Sequence, residues 1–249
     1  LDSASKWKVL FLSQLFGGLV VLVVALFLGQ LDNLFFQGLP WVVVLGVINL
    51  IGMYTYYKAI PAKGIALTAP IAYSWAFIAI ILGLIFYNET ITSLQIGGIL
   101  LILSGIFVVT FKHGEKLVFD KSFFFAVFSM VIWGVYFFLM KQPILLLGPV
   151  ITTMGVKLAT SFTSIPVLLR KQINLLDTEQ KVLLSILGVG LLDATGFVSY
   201  NFAALNAPIA IIAPIASATP VLTGLLGVVI LKEKLLALQK LGIIITIVG

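Results

Sequence analysis

Residues 46–105 of this chain recur, with no gap, 144 positions later. Gly46 meets Gly190, Gly52 meets Gly196, Tyr56 meets Tyr200, Ala59 meets Ala203 and Ala66 meets Ala210. The run Ala69-Pro70-Ile71-Ala72 then meets Ala213-Pro214-Ile215-Ala216, and Gly83, Glu89, Gln95 and Gly98 meet Gly227, Glu233, Gln239 and Gly242. A match of that length without an insertion is a duplicated folding unit, so the fold must be built from two copies of one structure.

Both copies are too apolar for water. The chain is 61% hydrophobic and 10% charged, with mean hydropathy +1.21. Apolar runs of about 17 to 25 residues, long enough to cross a bilayer, follow one another along it. They lie at residues 9–28, 40–57, 64–87, 93–111, 122–140, 148–169, 182–204, 207–231 and 236–249, which predicts nine spans. A water-soluble domain of 249 residues has no core large enough for this much apolar surface. The runs lack the alternation of barrel strands, and backbone groups in lipid must pair within their own segment, so the spans are predicted to be helices.

The repeat predicts an all-α membrane protein of two five-helix units, 1–111 and 122–249. The span at 122–140 should have a counterpart before residue 1, and the last span stops at Gly249 where its partner continues from Gly105 to Phe111. The expectation is a parent of ten helices, shortened at both ends. An odd number of crossings per unit puts the two copies in opposite orientations, the inverted repeat of many secondary transporters.

Thirteen of the 15 basic residues, among them Lys8, Lys58, Lys112, Arg170, Lys181 and Lys232, fall in loops on one side, and Lys141 alone marks the other. The positive-inside rule then makes 1–8, 58–63, 112–121, 170–181 and 232–240 cytoplasmic. The net charge of +6 reports topology and contact with an anionic leaflet. No clustered basic and aromatic surface argues for nucleic acid. With no cysteine, the chain has neither disulfides nor thiol chemistry.

Pro70 through Glu89 with Gly97-Gly98, Pro214 through Glu233 with Gly242, and Trp133-Gly134 opening the second unit resemble the drug/metabolite transporter superfamily, in particular its ten-helix EamA-type members. The resemblance covers nearly the whole chain. It implies a transporter of small solutes, and it says little of which, because members move amino acids, sugars, nucleotide derivatives and drugs on one scaffold. Such transporters usually keep both termini in the cytoplasm, whereas the charge count places the ends of the complete chain outside.

Two charges lie deep in spans, Lys157 and Asp193. Lys157 is about 20 Å and Asp193 about 17 Å from the cytoplasmic ends of their consecutive helices, at 1.5 Å per residue. An unpaired charge there costs at least about 2.5–3.5 kcal/mol, so the two are expected to pair or to face a wet cavity. Thr153, Lys157, Thr160, Ser161 and Ser164 share one helical stripe, which must face protein or water. The repeat partners of the two charges are Ser13 and Asn49, both neutral. A structural bridge is the alternative to a role in the cavity.

Pro70 and Pro214 occupy matched places and each removes a backbone donor. Ser74, Ser217 and Thr219 can bond the carbonyls so exposed, and broken helices at matched places of inverted repeats point to a midplane binding site. Tyr56 shares a face with Asn49, and Tyr200 shares one with Asp193; Trp133 and Tyr136 form a stripe with Met140. Any of these could wall a cavity for a mixed ligand. Glu89 and Glu233 lie at matched surface positions, suited to capping the next helix or closing a gate.

Paired glycines such as Gly17-Gly18 are packing signals. His113 stands alone in a basic loop and gives no metal site, and no cofactor motif is present. There is no HExxH, GxSxG or P-loop, so neither an intramembrane hydrolase nor an ATP-driven pump has its required groups. The sequence predicts a secondary transporter or exporter of a small organic metabolite, multi-pass in the plasma membrane of a prokaryote, working by alternating access and coupled to a proton or another ion. The alternative is a non-transporting membrane scaffold or accessory subunit. Substrate, direction, coupling ion and oligomeric state are not fixed by these residues.

Overall fold

The structure is a computed structural model that describes residues 3–31, 34–60, 68–110, 121–175, 177–222 and 236–249, with the single positions 225, 228 and 232. Every regular element among them is an α-helix: α1 Ser3–Phe27, α2 Leu34–Ala59, α3 Thr68–Tyr73, α4 Trp75–Phe86, α5 Ser93–Thr110, α6 Lys121–Leu139, α7 Lys141–Arg170, α8 Gln180–Asn206, α9 Ile209–Ser217 and α10 Ala237–Val248. Each lies on an apolar run of the sequence, and a helix is the form that satisfies a backbone in lipid from within the segment. Phe27, Leu94, Leu192 and Val248 are largely exposed, as side chains that face lipid are. The helices over 5–27, 38–59, 121–139, 141–170 and 180–206 are long and apolar enough to cross a membrane, and shorter apolar helices cover 71–86, 93–109, 209–222 and 237–248.

The chain forms two compact units, and each draws on both copies of the repeat: residues 1–53 with 139–206, and 54–138 with 207–249. In the first unit α7 is the centre, bordered by α1, α2 and α8. Gly148, with φ 77° and ψ 167°, breaks α7 just before Pro149; the left-handed φ favours glycine, and the expected span from 148 begins at this break. Val21 and Ala25 of α1, Val150, Ile151 and Met154 of α7 and Ala194 of α8 form its apolar core.

Glycine sets the close approaches. A Cβ on Gly190 would lie 2.6 Å from the Ser13 carbonyl oxygen, and one on Gly17 would lie 2.7 Å from that of Gly190, so α1 and α8 touch backbone to backbone. A Cβ on Gly46 would lie 2.8 Å from the Thr160 nitrogen, bringing α2 as close to α7. At the end of the unit the Lys8 ammonium donates to the Asp177 carbonyl at 2.6 Å, tying the start of α1 to the α7–α8 loop.

In the second unit α5 and α10, the last helices of the two copies, pack on each other. A Cβ on Gly98 would lie 2.8 Å from the Gly249 carbonyl oxygen, and one on Gly105 would lie 2.7 Å from that of Gly242. Residue numbers rise on one helix as they fall on the other, so the pair is antiparallel. Because Gly242 and Gly249 are the repeat partners of Gly98 and Gly105, each contact is the image of the other under a two-fold axis. That is the inverted repeat, seen directly in packing. Ile102, Ile106 and Val109 of α5 with Val221 and Ile243 form the core between them.

The matched segments after α2 and α8 are both interrupted. Ser74 separates α3 from α4 at φ −72°, ψ 8°, and Ala218 ends α9 at φ −71°, ψ 8°. The two positions are 144 apart. In each, the amide turns from the fourth to the third preceding carbonyl: Ser74 to Ile71 and Ala218 to Ile215, both at 3.2 Å. The tightening continues with Phe77 to Ser74 at 3.0 Å and Val221 to Ala218 at 2.9 Å. Each is a short 3₁₀ step four residues after the proline.

Candidate functional site

Lys157 and Asp193 meet. Lys157 Nζ lies 2.6 Å from Asp193 Oδ2, with side chains 3% and 33% exposed. A third residue, Gln14 of α1, closes the group: its Nε2 donates to Asp193 Oδ2 at 2.9 Å and its Oε1 accepts from Lys157 Nζ at 3.4 Å. The ammonium also sits 4.4 Å from the centre of the Phe197 ring, one turn along α8 from Asp193. The close α1–α8 contact at Gly17 and Gly190 brings Gln14 of α1 within reach of Asp193 on α8. Gln14 escapes a search for charges, because an amide in an apolar span carries none; its signal is the polar pair Ser13-Gln14 within an otherwise apolar run.

The rest of the polar stripe on α7 is an interhelical seam within the first unit. Thr153, Thr160, Ser161 and Ser164 are all buried. Asn49 Nδ2 donates to Thr160 Oγ1 at 3.2 Å, Asn201 Nδ2 to Thr153 Oγ1 at 2.8 Å, and Ser161 Oγ to the Phe11 carbonyl at 3.3 Å. Thr153 gives its own proton to the Pro149 carbonyl at 2.8 Å, so it can only accept from Asn201. Tyr200 is buried in the same unit.

In the second unit the helix breaks expose carbonyls that neighbouring hydroxyls take up. Turning Ala218 away frees the Pro214 carbonyl, which accepts from Ser217 Oγ at 2.8 Å. Pro220 has no N–H for the Ala216 carbonyl, which accepts from Thr219 Oγ1 at 3.2 Å. Pro214 and Ser217 are buried. Pro70 lies in α3, and Ser74 is half-buried at the matched break.

Beside that break three rings from three helices gather. Tyr56 of α2 lies 5.2 Å from Trp133 of α6 and 6.3 Å from Tyr73 of α3, and Tyr73 lies 6.3 Å from Trp133. All three are half-buried. Tyr136 is buried instead, edge-on to Phe137 at 5.1 Å. Gly134 seats α6 on α4, where a Cβ would lie 2.9 Å from the Trp75 carbonyl oxygen, and Trp75 stacks on Phe137 at 3.9 Å.

Glu89 is a cap, and of a helix other than the expected one. Its Oε1 accepts from the Ile209 amide at 2.8 Å and its Oε2 from the Ala210 amide at 2.9 Å. These are the first turn of α9, whose N-cap Pro208 has no side-chain acceptor. The next helix, α5, is capped by Thr92 and Gln95, whose backbone and side-chain groups bond reciprocally at 2.8 and 3.3 Å. Glu233 lies outside the described residues. Among the described residues no cluster of three metal-ligating side chains occurs.

The EamA-like transporter family matches residues 1–111 and 120–249. The chain belongs to that family. As an EamA-like protein it is a multi-pass membrane transporter of small molecules, built from two inverted repeats. A solved crystal structure of a protein is 19% identical over 98% of this chain and 85% of its own, with a TM-score of 0.79, which shows the shared fold. No curated protein matches the chain in sequence.

Proposed function

We propose that this EamA-like protein is a secondary transporter or exporter of a small organic metabolite, amino-acid-like, sugar-like or drug-like, in the plasma membrane of a prokaryote. It works by alternating access of the copies 1–111 and 122–249, drawing on a proton or another ion. The observation that carries this reading is the pair of 3₁₀ steps at Ser74 and Ala218, 144 residues apart and alike in φ and ψ. Interrupted helices at matched places of inverted repeats are where transporters bind solute and where they bend. In the second unit the candidate lining residues are Ser74, Tyr56, Trp133 and Thr219; in the first, Asp193 is the candidate charged group. Lys157 holds the Asp193 carboxylate, Asn49, Tyr136, Tyr200 and Ser217 are buried, and Glu89 holds α9 at its start.

The complete burial of Thr160, Ser161 and Ser164 favours a second reading, a non-transporting scaffold or accessory subunit held together by its seam. The chain has no cysteine, so single cysteines at Ser74 and Ala218 can be probed without background. Alternating access predicts that each reacts with an impermeant thiol reagent from either side of the membrane in turn, and that a solute changes the ratio. A scaffold gives reaction from one side at most, unchanged by any solute.

A further inference from the structure

The contacts of Lys157 and Asp193 separate what the two can do. A lysine ammonium has three donors and no acceptor. All three directions are taken: Asp193 Oδ2 at 2.6 Å, Gln14 Oε1 at 3.4 Å and the face of Phe197 at 4.4 Å. The side chain is 3% exposed. Holding an anionic group of a solute would require Lys157 to leave its counter-ion in a low dielectric, which is strongly unfavourable. Asp193 is the opposite case. Both of its hydrogen bonds arrive at Oδ2, its Oδ1 accepts none among the described residues, and a third of the side chain is exposed. An ionised carboxylate oxygen can only accept, so Oδ1 is ready for a donor.

We propose that Asp193 Oδ1 receives the ammonium group of the transported solute, with Lys157 and Gln14 as positioning residues that hold the carboxylate. The proposal rests on the reading of the chain as a solute transporter and names its substrate class. The group of Gln14, Lys157 and Asp193 has no net charge, so a solute that brings an ammonium together with its own carboxylate leaves the site neutral. A solute with a carboxylate alone meets the open carboxylate oxygen and is repelled, most strongly where water is excluded. Zwitterionic amines are therefore preferred, simple amines follow, and carboxylates lacking an amine are rejected.

The test uses the purified full chain in detergent and two trios of one skeleton each: leucine, isopentylamine and 4-methylpentanoate, and phenylalanine, phenethylamine and 3-phenylpropionate. Binding is read as a rise in melting temperature. The decisive variant is Gln14→Glu with Asp193→Asn, which returns a carboxylate to Lys157 from position 14 and takes the charge away from 193. The variant is expected to melt near the wild type and to bind amine-bearing members at least about tenfold more weakly, the loss of a charge-assisted hydrogen bond. If that variant does not fold, Lys157→Gln with Asp193→Asn, also neutral, gives the same reading. Undiminished binding in either folded variant overturns the proposal, as does a wild type shifted only by the carboxylates or by no amine-bearing member. Flux in proteoliposomes separates the two readings. Amine-bearing members that bind through Asp193 and are not carried defeat the transporter reading and leave the site standing; carried carboxylates do the reverse.

Discussion

Lys157 is stable at its depth only because Asp193 and Gln14 meet it there. Removing one charge leaves the other uncompensated, which costs about 3–5 kcal/mol for a buried pair, whereas removing both can be close to neutral. Lys157→Met should therefore lower the melting temperature more than Lys157→Met with Asp193→Asn does. Additive losses would show that the two charges do not depend on each other. This pair was legible in the sequence because charges at membrane depth are rare and costly. Gln14 was not, since nothing about an uncharged amide says which helix it will reach. Glu89 was legible as a cap but not as the cap of α9, because the choice between two helix starts is made by tertiary packing. Replacing Glu89 with Ala should cost about 1–2 kcal/mol, typical of a lost helix cap, and Glu89→Gln less, since one carbonyl oxygen remains to accept. Thermal melts of the two variants check the order.

At the scale of elements, glycine contacts and helix breaks position everything else. A Cβ at position 190 would meet the Ser13 carbonyl oxygen at 2.6 Å, so Gly190→Ala must push α1 away from α8. Gln14 would move with α1 and loosen its hold on Asp193, so the variant is expected both to melt lower and to bind solute more weakly. An unchanged melting temperature would show that the helices have room to spare. Ser217→Ala should cost about 1–3 kcal/mol by leaving the buried Pro214 carbonyl unpaired, again read as a fall in melting temperature. The breaks themselves were legible from Pro70 and Pro214. Their location was not: a proline disturbs the turn before it, whereas the observed steps follow it by four residues, at Ser74 and Ala218. The partition of the helices was also hidden, because the repeat tells which segments are alike, and contacts such as Gly17 with Gly190 join segments from different copies.

For the whole molecule, the 144-residue repeat and the apolar runs were enough to specify an inverted-repeat membrane fold, since lipid permits little else. The tie between Lys8 and the Asp177 carbonyl joins two segments that the charge count assigns to one side. If that side is the cytoplasm, a cysteine at the exposed Asn174 should resist an impermeant thiol reagent in intact cells and react once they are opened; ready labelling in intact cells reverses the orientation. Substrate identity was beyond the sequence because one scaffold carries many solutes. The claim that this chain moves a solute by alternating access is tested most directly by counterflow. Proteoliposomes loaded with an amine-bearing solute that binds should take up the same labelled solute from outside, saturably and faster than empty vesicles do, and the Gln14→Glu/Asp193→Asn variant should not. Equal, unsaturable uptake with and without internal solute, from a protein that nonetheless binds it, would contradict the account.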